Sequence, residues 1–298
     1  MSVQSIYGVI SAVLTPLNDA LRPDNATFIS YCKHLLEEGC HCLGILGSTG
    51  EANSIHISDR LQLIKTAAQH LPPKKLLVGT GACSLKEAID LSKCAVENGI
   101  MNLLVLPPFY YAPVSDEGIA AYYDRLISAV AHPDMRIYLY NFPKLTGYRF
   151  TSSLIKDLIS RHGETIAGLK DSSGDFDGMK EYISINPAFN VFSGTERYLV
   201  DIMDAGGAGC ISATINITAR HARAVWNSRS AELQDSLTLL RASIEKYPLV
   251  PALKTLKEQE TGDHIWQNML PPHVALNLEQ KQSLFSDFQN AQKKALKL

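Results

Sequence analysis

One lysine, Lys170, ends an apolar run over residues 165–169 and precedes an acid, two serines and a glycine. The run predicts a buried strand that carries one amine to the edge of a core. Loss of hydration there disfavours the ammonium form and favours the neutral nucleophile. A neutral lysine beside a carbonyl group is what Schiff-base chemistry requires, and Ser172 just after it is a candidate substrate contact. The competing interpretation is an ordinary solvated lysine at a strand end. The choice between the two depends on which other residues the fold brings close to Lys170.

Three other segments carry groups that suit the same chemistry. The glycine-bounded loop 47–50 can expose consecutive N–H groups to an anion such as a 2-keto acid carboxylate, with Ser48 and Thr49 as contacts. Tyr140 brings a phenol that can move protons to and from a carbonyl oxygen, although a core aromatic is the alternative. Tyr110 and the Ser48 hydroxyl can pass that proton to water, unless Tyr110 only packs on the surface or against another subunit.

The pattern of apolar residues supplies elements that can bring these groups together. Short apolar runs alternate with helical segments, as in βα units whose strands are buried on both faces. The predicted strands are 7–16, 42–46, 76–80, 103–106, 136–141, 165–170, 190–193 and 209–212. This number of units predicts an α/β fold, the (β/α)8 TIM barrel. The alternative is a doubly wound open sheet, which usually carries a G-x-G-x-x-G turn after its first strand, and this sequence has no such turn.

In such a barrel the active site lies at the carboxyl ends of the strands. The loop 47–50, Tyr140 and Lys170 each stand at or just after a strand end, so we expect them at one mouth. The ends of the last two strands, at 193–197 and near Ile211, point to the same mouth and include Gly194, Glu196 and Arg197.

Helices are predicted between the strands and, beyond residue 217, without any strands. The helices between strands are 24–38, 58–70, 84–97, 115–130, 151–161, 175–185 and 196–204, and the later ones are 218–228, 230–247, 249–260 and 279–296. We therefore predict a barrel over residues 1–217 and a helical appendage over residues 218–298, packed on the barrel as one structural unit.

Composition narrows the class of protein. The 298 residues are 46% hydrophobic with a net charge of −2, which suits one large core. No basic patch suggests a nucleic-acid partner, and no apolar run reaches the length of a membrane span. The first five residues do not open a signal peptide, and the six scattered cysteines suit reduced core thiols, so we expect a cytoplasmic protein. Cys40-His41-Cys42 lacks zinc-knuckle spacing and a second ligand pair, so no metal is expected.

Three motifs are specific in combination: Gly47-Ser48-Thr49-Gly50-Glu51, Tyr140-Asn141-Phe142-Pro143 and Gly168-Leu169-Lys170-Asp171. In their order and spacing, and over nearly its whole length, the chain resembles the dihydrodipicolinate synthase / N-acetylneuraminate lyase family of class I, pyruvate-dependent aldolases. The resemblance implies a (β/α)8 barrel with a C-terminal helical appendage, usually as a homotetramer built as a dimer of dimers. It implies no cofactor, because the substrate itself forms a covalent imine.

The resemblance also implies roles for individual residues. Pyruvate would form its imine with Lys170, and Tyr140 would shuttle protons with help from Ser48 and Tyr110. In the synthase branch, the tyrosine at the position of Tyr110 reaches in from a neighbouring subunit. The implied contacts to the pyruvate carboxylate and the floor of the site are Ser48, Thr49, Gly194 and Ile211.

The branch of the family depends on the second substrate. Synthases usually carry an arginine just after the Tyr-Asn-x-Pro motif to hold the carboxylate of aspartate semialdehyde; here that position is Leu145, which cannot make this contact. Neuraminate lyases usually place Asp-Glu after the strand-seven glycine and a serine on strand eight, where this chain has Thr195-Glu196 and Ala213. Glu196 can bond sugar hydroxyls and Arg197 can meet a second acidic group; the alternatives are an acid at a helix N-terminus and a solvated base.

The preferred hypothesis is a Schiff-base lyase that cleaves or forms a carbon–carbon bond between pyruvate and an aldehyde, on a 2-keto-3-deoxy sugar acid or a similar hydroxylated 2-keto acid. The alternatives are dihydrodipicolinate synthase, N-acetylneuraminate lyase, a dehydratase of keto-deoxy sugar acids that uses the same imine, and a non-catalytic metabolite-binding barrel, since fold alone does not assign function.

Overall fold

The computed structural model describes residues 6–295. The first five residues, on which the expectation about a signal peptide rests, lie outside the described residues, as does residue 296 of the last predicted helix. Eight parallel strands close into a barrel in sequential order, which confirms the predicted (β/α)8 fold. The strands are β1 Gly8–Ala12, β2 Cys42–Ile45, β3 Leu76–Gly79, β4 Asn102–Val105, β5 Arg136–Asn141, β6 Ile166–Asp171, β7 Asn190–Ser193 and β8 Gly209–Ser212.

The helices surround this barrel and continue beyond it. They are α1 Asn25–Glu37, α2 Ile57–His70, α3 Leu85–Glu97, α4 Asp116–Val130, α5 Pro143–Thr146, α6 Ser152–His162, α7 Phe176–Ile183, α8 Leu199–Asp204, α9 Ile215–Ser228, α10 Ala231–Ile244, α11 Leu249–Thr261 and α12 Leu278–Ala295.

Side-chain caps explain why the helix starts were readable from the sequence. Asp24 accepts a hydrogen bond from Thr27 N and Thr151 accepts one from Leu154 N, each at the start of a helix. Such caps satisfy amides that have no partner inside the helix. Caps of the same kind begin α3, α4, α7 and α10.

The first strand is shorter than the predicted span 7–16. Only Gly8–Ala12 pairs as a strand, because the chain then leaves the sheet: Leu14 N donates to the Asn216 side chain at 3.1 Å. The short helix α5 was not predicted from the sequence. It begins at Pro143, directly after β5, and proline suits the first turn of a helix.

Two apolar cores hold the molecule together. One lies between the outer wall of the barrel and its helices. The other fills the barrel interior, where Tyr138 and Phe192 meet edge to face with ring centroids 5.8 Å apart. The interior also holds Ile10, Leu77, Leu104, Tyr140 and Ile211. The barrel interior is therefore packed rather than a pore, and we expect the site at the end of the barrel where the carboxyl ends of the strands meet.

The C-terminal helices pack against the barrel and each other. Helix α9 lies against β1, and α10 lies between α9 and α12. Helix α9 begins at Ile215, so it crosses the boundary predicted after residue 217. Two buried charges, Lys254 on α11 and Arg241 on α10, point from these helices toward carboxylates that follow barrel strands.

Among residues 6–295, no helix combines the length and the apolar character needed to cross a membrane. All six cysteines lie within this range and carry free thiols, five of them buried and Cys83 exposed.

Candidate active site

Lys170 and Tyr140 form the centre of the candidate site. They are register partners on β6 and β5, and both side chains point into the barrel at its carboxyl end. Lys170 Nζ donates to the Tyr140 hydroxyl oxygen at 3.2 Å and lies 4.3 Å from the ring centroid. Only 5% of Lys170 is exposed. The structure therefore brings together an amine and a phenol that can exchange protons.

The next residues on the same two strands lock the pair in register. Asn141 Nδ2 donates to Asp171 Oδ2 at 2.6 Å. Asp171 is buried and also accepts from Ser173 N at 2.8 Å and from Ser173 Oγ at 2.6 Å. Asn141 Oδ1 in turn accepts from Phe150 N at 3.2 Å. These bonds join the ends of β5 and β6 and limit sliding between the phenol and the amine.

The loop after β2 forms a tight 3-10 turn over Ser48–Gly50. Gly50 N and Ala52 N donate to Gly47 O at 3.1 and 3.3 Å. The amides of Ser48 and Thr49 come first in the turn, where N–H groups have no partner within it. Such a pair of free amides suits an anion, which is the role expected for this loop.

A small cavity joins this loop to Tyr140. Its lining is mostly apolar, with Ser48, Asn53 and the Tyr140 hydroxyl as the polar groups, and comprises Leu46, Gly47, Ser48, Ala52, Asn53, Gly79, Gly81, Leu104, Leu106 and Tyr140. A Cβ built on Gly47 would meet no atom within 4 Å, so this glycine faces open space. The cavity places two of the predicted groups, Ser48 and Tyr140, on one surface.

The sequence did not predict that Asn53 and residues of β3 and β4 line this cavity. Asn53 follows the glycine-bounded loop by three positions, and nothing in its neighbours marks it as polar lining. For Gly79 the signal was the strand that it ends, because barrel sites draw on the ends of several strands.

The floor of the site combines the ends of β6, β7 and β8. Ile211 is fully buried in the barrel interior. Gly194 N donates to Asp171 O at 2.5 Å, and a Cβ on Gly194 would lie 2.3 Å from Ser172 Oγ. A larger residue at position 194 would therefore displace the backbone that follows Lys170. The substrate contacts expected of Gly194, Ile211 and Ser172 remain predictions.

Tyr110 and Leu145 lie at the surface. Tyr110 is 78% exposed and meets Tyr111 edge to face at 5.3 Å. Leu145, on α5, is 53% exposed. Within residues 6–295, no hydrogen bond joins Tyr110 to Tyr140 or Ser48, so its role in proton transfer remains a prediction.

The Glu196 carboxylate, expected to bind sugar hydroxyls, already has partners within the chain. Its carboxylate is fully buried and pairs with Arg241 at 2.6 Å. The hydroxyls of Ser212 and Thr214 also donate to it. Burial alone raises the pKa of Glu196, but Arg241 and the two hydroxyls outweigh it and hold the pKa below its ordinary value. These partners bind the carboxylate within the fold, and the contact with sugar hydroxyls expected of Glu196 remains a prediction.

Arg197 also has a partner within the chain. Its guanidinium forms an ion pair with Glu245, which pairs in turn with Arg241 at 2.5 Å. The predicted contact between Arg197 and an acidic group of the substrate would have to displace Glu245. The ion pairs of Glu196 and Arg197 were not predicted, because their partners on and after α10 are far away in the sequence.

In the Cys40-His41-Cys42 stretch, the imidazole of His41 contacts neighbouring residues of the fold. His41 Nδ1 accepts from Val9 N at 3.0 Å, so one ring nitrogen is in use. Burial, with Arg223 and Lys75, lowers the pKa of His41 to about 4. Within residues 6–295, no three histidine, cysteine, aspartate or glutamate side chains are grouped so that they could hold a metal ion.

Comparisons with known proteins agree with this geometry. The model of the dihydrodipicolinate synthetase family matches residues 5–291. An uncharacterized DapA-like lyase of Chloroflexus aurantiacus is 33% identical over 253 residues, 83% of this chain and 84% of that protein. The crystal structure of dihydrodipicolinate synthase from Agrobacterium tumefaciens is 27% identical, with a TM-score of 0.89 over 96% of this chain and 99% of the other.

A second solved structure holds a ligand. It is YagE from E. coli K12, a prophage protein of the dihydrodipicolinic acid synthase family in complex with pyruvate. It is 25% identical, with a TM-score of 0.88 over 96% of this chain and 98% of the other.

Proposed function

The chain belongs to the dihydrodipicolinate synthetase family, and we propose that it is a class I aldolase that works through an imine between Lys170 and pyruvate. The observation that carries this proposal is the buried Lys170 amine, 3.2 Å from the Tyr140 hydroxyl at the open end of the barrel. The pyruvate complex of a relative supports the choice of 2-keto acid.

The residues divide the work as follows. The neutral Lys170 amine attacks the keto carbon of the substrate, and Tyr140 gives a proton to the oxygen that leaves as water, so an iminium forms. In the cleavage direction a base removes the proton of the C4 hydroxyl, and the electrons of the C3–C4 bond pass into the iminium to give an enamine and a free aldehyde. Protonation of C3 and hydrolysis then release pyruvate and restore the amine.

The carboxylate of the 2-keto acid binds at the turn after β2. The Ser48 and Thr49 amides are the donors, and the Ser48 hydroxyl lies in the same cavity as Tyr140. Donors fixed in advance by the fold need no rearrangement when an anion binds. The position of the carboxylate then directs the keto carbon toward Lys170.

The second substrate is an uncharged, hydroxylated aldehyde, so the full substrate is a 2-keto-3-deoxy sugar acid or a close analogue. Leu145 offers no cation for a second carboxylate, and Arg197 is already paired with Glu245. Ser48 and Asn53 supply polar groups in the cavity for hydroxyls. A dehydratase of the same substrates would use the same imine and would release water rather than an aldehyde.

A second candidate is 4-hydroxy-tetrahydrodipicolinate synthase. The favouring observation is a relative of that name in Natronomonas pharaonis, 26% identical over 97% of this chain and 100% of that protein. This activity requires condensation of pyruvate with aspartate semialdehyde. If condensation with pyruvate is faster for aspartate semialdehyde than for any sugar-derived aldehyde, the protein is a synthase.

The test of the proposal is to trap the imine with borohydride. Wild-type protein is incubated with pyruvate and sodium borohydride, and the labelled peptide is located by mass spectrometry. We expect a pyruvate-derived mass on Lys170 and no adduct in Lys170→Ala. A panel of 2-keto acids is then screened for release of pyruvate, with Lys170→Ala as the control. Saturable pyruvate binding without an adduct or turnover would instead indicate a non-catalytic binding protein.

We also propose that the protein is cytoplasmic and forms a homotetramer built as a dimer of dimers. The exposed rings of Tyr110 and Tyr111 lie next to each other on the surface, where a neighbouring subunit could cover them. Light scattering of the purified protein would measure the mass of the assembly. A monomer would remove the proposed contribution of Tyr110 to a neighbour's site.

A further inference from the structure

A buried ion pair stands directly behind the proposed carboxylate-binding turn. Glu51 is the residue after Ser48–Gly50, and its carboxylate pairs with Lys254 on α11. Neither side chain has any exposed surface. Lys254 Nζ also donates to Asn268 O at 2.7 Å, and Leu270 N donates to Glu51 Oε2 at 2.7 Å. The end of the turn is thus bound to two segments that follow the barrel.

The backbone at this turn is one that a free chain would not favour. Glu51 has φ 57° and ψ 24°, and Leu46 just before the turn has φ 54°. Residues with a Cβ rarely adopt this left-handed region, and they stay there only where the surroundings hold them. The surroundings here are the Glu51 pair and a bond from Thr15 Oγ1 to Gly50 O of 2.8 Å.

A further bond links the same two regions. Ser54 Oγ donates to Pro271 O at 3.1 Å, so residues 51–54 and 268–271 are joined at both ends. Burial lowers the pKa of Lys254 from its ordinary value, and the neighbouring Glu51 acts in the opposite direction. None of these atoms faces the cavity beside Tyr140, so any effect on the reaction must pass through the turn.

We infer, on the basis of the proposed function, that Glu51 and Lys254 are positioning residues that aim the Ser48 and Thr49 amides at the carboxylate of the 2-keto acid. The C-terminal helices then contribute to substrate binding although they supply no group that touches the substrate. Loss of the pair weakens binding of the 2-keto acid more than it slows the bond-breaking step, because Lys170 and Tyr140 lie on other strands.

The test compares two variants that each replace a buried lysine of α11. Glu51→Gln with Lys254→Met removes both buried charges together, which avoids an unpaired charge in the core. Lys257→Met is the matched control, because Lys257 is also buried on α11, one turn later, and pairs with Glu260 at 2.8 Å. Circular dichroism and thermal melts establish that each variant is folded at the assay temperature.

The measured quantity is the pyruvate concentration that gives half-maximal borohydride trapping on Lys170. For the double variant we expect it to rise about tenfold or more, with KM for the 2-keto acid rising in parallel and kcat changing less than about threefold. For Lys257→Met we expect wild-type values. A merely structural role would lower the melting temperature without changing half-saturation.

The outcomes separate this inference from the proposed function. Half-saturation within twofold of wild type in the folded double variant would overturn the positioning role while leaving the imine chemistry intact. Failure to trap pyruvate on wild-type Lys170 would overturn both. If the double variant does not fold, Glu51→Gln with Lys254→Gln replaces it, since this change also removes both charges together, leaves polar groups in the core and keeps the acceptor for Leu270 N. Unchanged half-saturation in that variant would again reject the role.

Discussion

At the scale of single residues, the site depends on how close Lys170 and Tyr140 are. Their atoms are 3.2 Å apart, and the Tyr140 ring stacks on Phe142 with centroids 5.7 Å apart. The aromatic contact fixes the ring, so the hydroxyl is held toward the amine. The phenol is therefore held within hydrogen-bond distance of the amine, as the proposed imine formation requires.

The first prediction separates the hydroxyl of Tyr140 from its ring. Tyr140→Phe keeps the stacking on Phe142 but removes the proton-transfer group, so kcat should fall by about 10²–10⁴-fold, the usual contribution of a positioned acid or base. Steady-state release of pyruvate measures it. Tyr138→Phe is the control, because that hydroxyl accepts from Ile6 N at 3.3 Å away from the mouth; a similar loss in both variants would contradict the assignment.

Single residues also show where sequence reasoning stops. Lys170 and Tyr140 were predicted because apolar runs precede them and barrel geometry brings strand ends together. The buried ion pairs of Glu196 and Glu51 were missed, because their partners Arg241 and Lys254 lie far along the chain. A lysine inside the apolar helical segment 249–256 was the one local signal of a buried partner, and it did not identify Glu51.

At the scale of elements, β5 and β6 act as one unit. The Asn141–Asp171 bond follows the Tyr140–Lys170 pair by one residue on each strand. Because neighbouring positions on a strand point to opposite faces, the Tyr140–Lys170 pair faces the interior and the Asn141–Asp171 pair faces the outer layer. Asp171 has three donors and is 1% exposed.

The second prediction tests this bond. Asn141→Leu removes a donor to the buried Asp171 carboxylate and the acceptor of Phe150 N, so the free energy of unfolding should fall by about 2–4 kcal/mol. Urea denaturation measures it. The control is Asn98→Leu at the half-buried end of α3, which also loses a side-chain bond, to Cys94 O at 2.7 Å. It leaves no buried charge without a partner and should cost less than about 1.5 kcal/mol. Equal losses of unfolding free energy in the two variants would show that the buried Asp171 carboxylate is stable without the hydrogen bond from Asn141.

The elements themselves were mostly predictable. All eight strands were predicted near their observed positions, because a strand buried on both faces is a continuous apolar run. The helix starts followed from capping residues such as Thr151. The end of β1 and helix α5 were not predicted, because both depend on where the chain leaves the sheet, which is set by contacts such as the one between Leu14 and Asn216.

At the scale of the whole molecule, buried charges connect the barrel to the C-terminal helices. Arg241 on α10 binds Glu196 after β7 and also donates to Ser212 on β8 at 2.7 Å. Lys254 on α11 binds Glu51 after β2. Breaking one partner of such a pair leaves a charge without compensation in the core, which is costly. The pairs therefore fix how the two parts of the chain fit together.

The third prediction concerns acid stability. The pKa of Glu196 is held below its ordinary value of 4.5 in the folded protein. The carboxylate therefore stabilises the fold above that value, and the stabilisation is lost as the pH falls through the lowered folded pKa. Glu196→Gln with Arg241→Met has no such group. The difference in unfolding free energy between wild type and this variant should shrink as the pH falls from about 5 to about 3.

Urea titrations at a series of pH values measure this difference. Because Glu245 also loses its Arg241 partner in the variant, both proteins are compared on a Glu245→Gln background, where the contributions of the remaining carboxylates cancel. A difference that stays constant, or grows, as the solution is acidified would mean that Glu196 is not ionised in the folded protein.

The strand pair β5–β6 has a consequence for how the protein could be redesigned. The amine and the phenol both lie within residues 136–171, one β-helix-β stretch of the chain. The residues proposed to recognise the carboxylate and the aldehyde do not lie on these two strands. They lie in 47–54 and, at Leu145, on α5 between the strands. Libraries randomised at Asn53 and Leu145 can therefore be screened for activity with new aldehydes by directed evolution, while the strands β5 and β6 that carry the amine and the phenol stay unchanged.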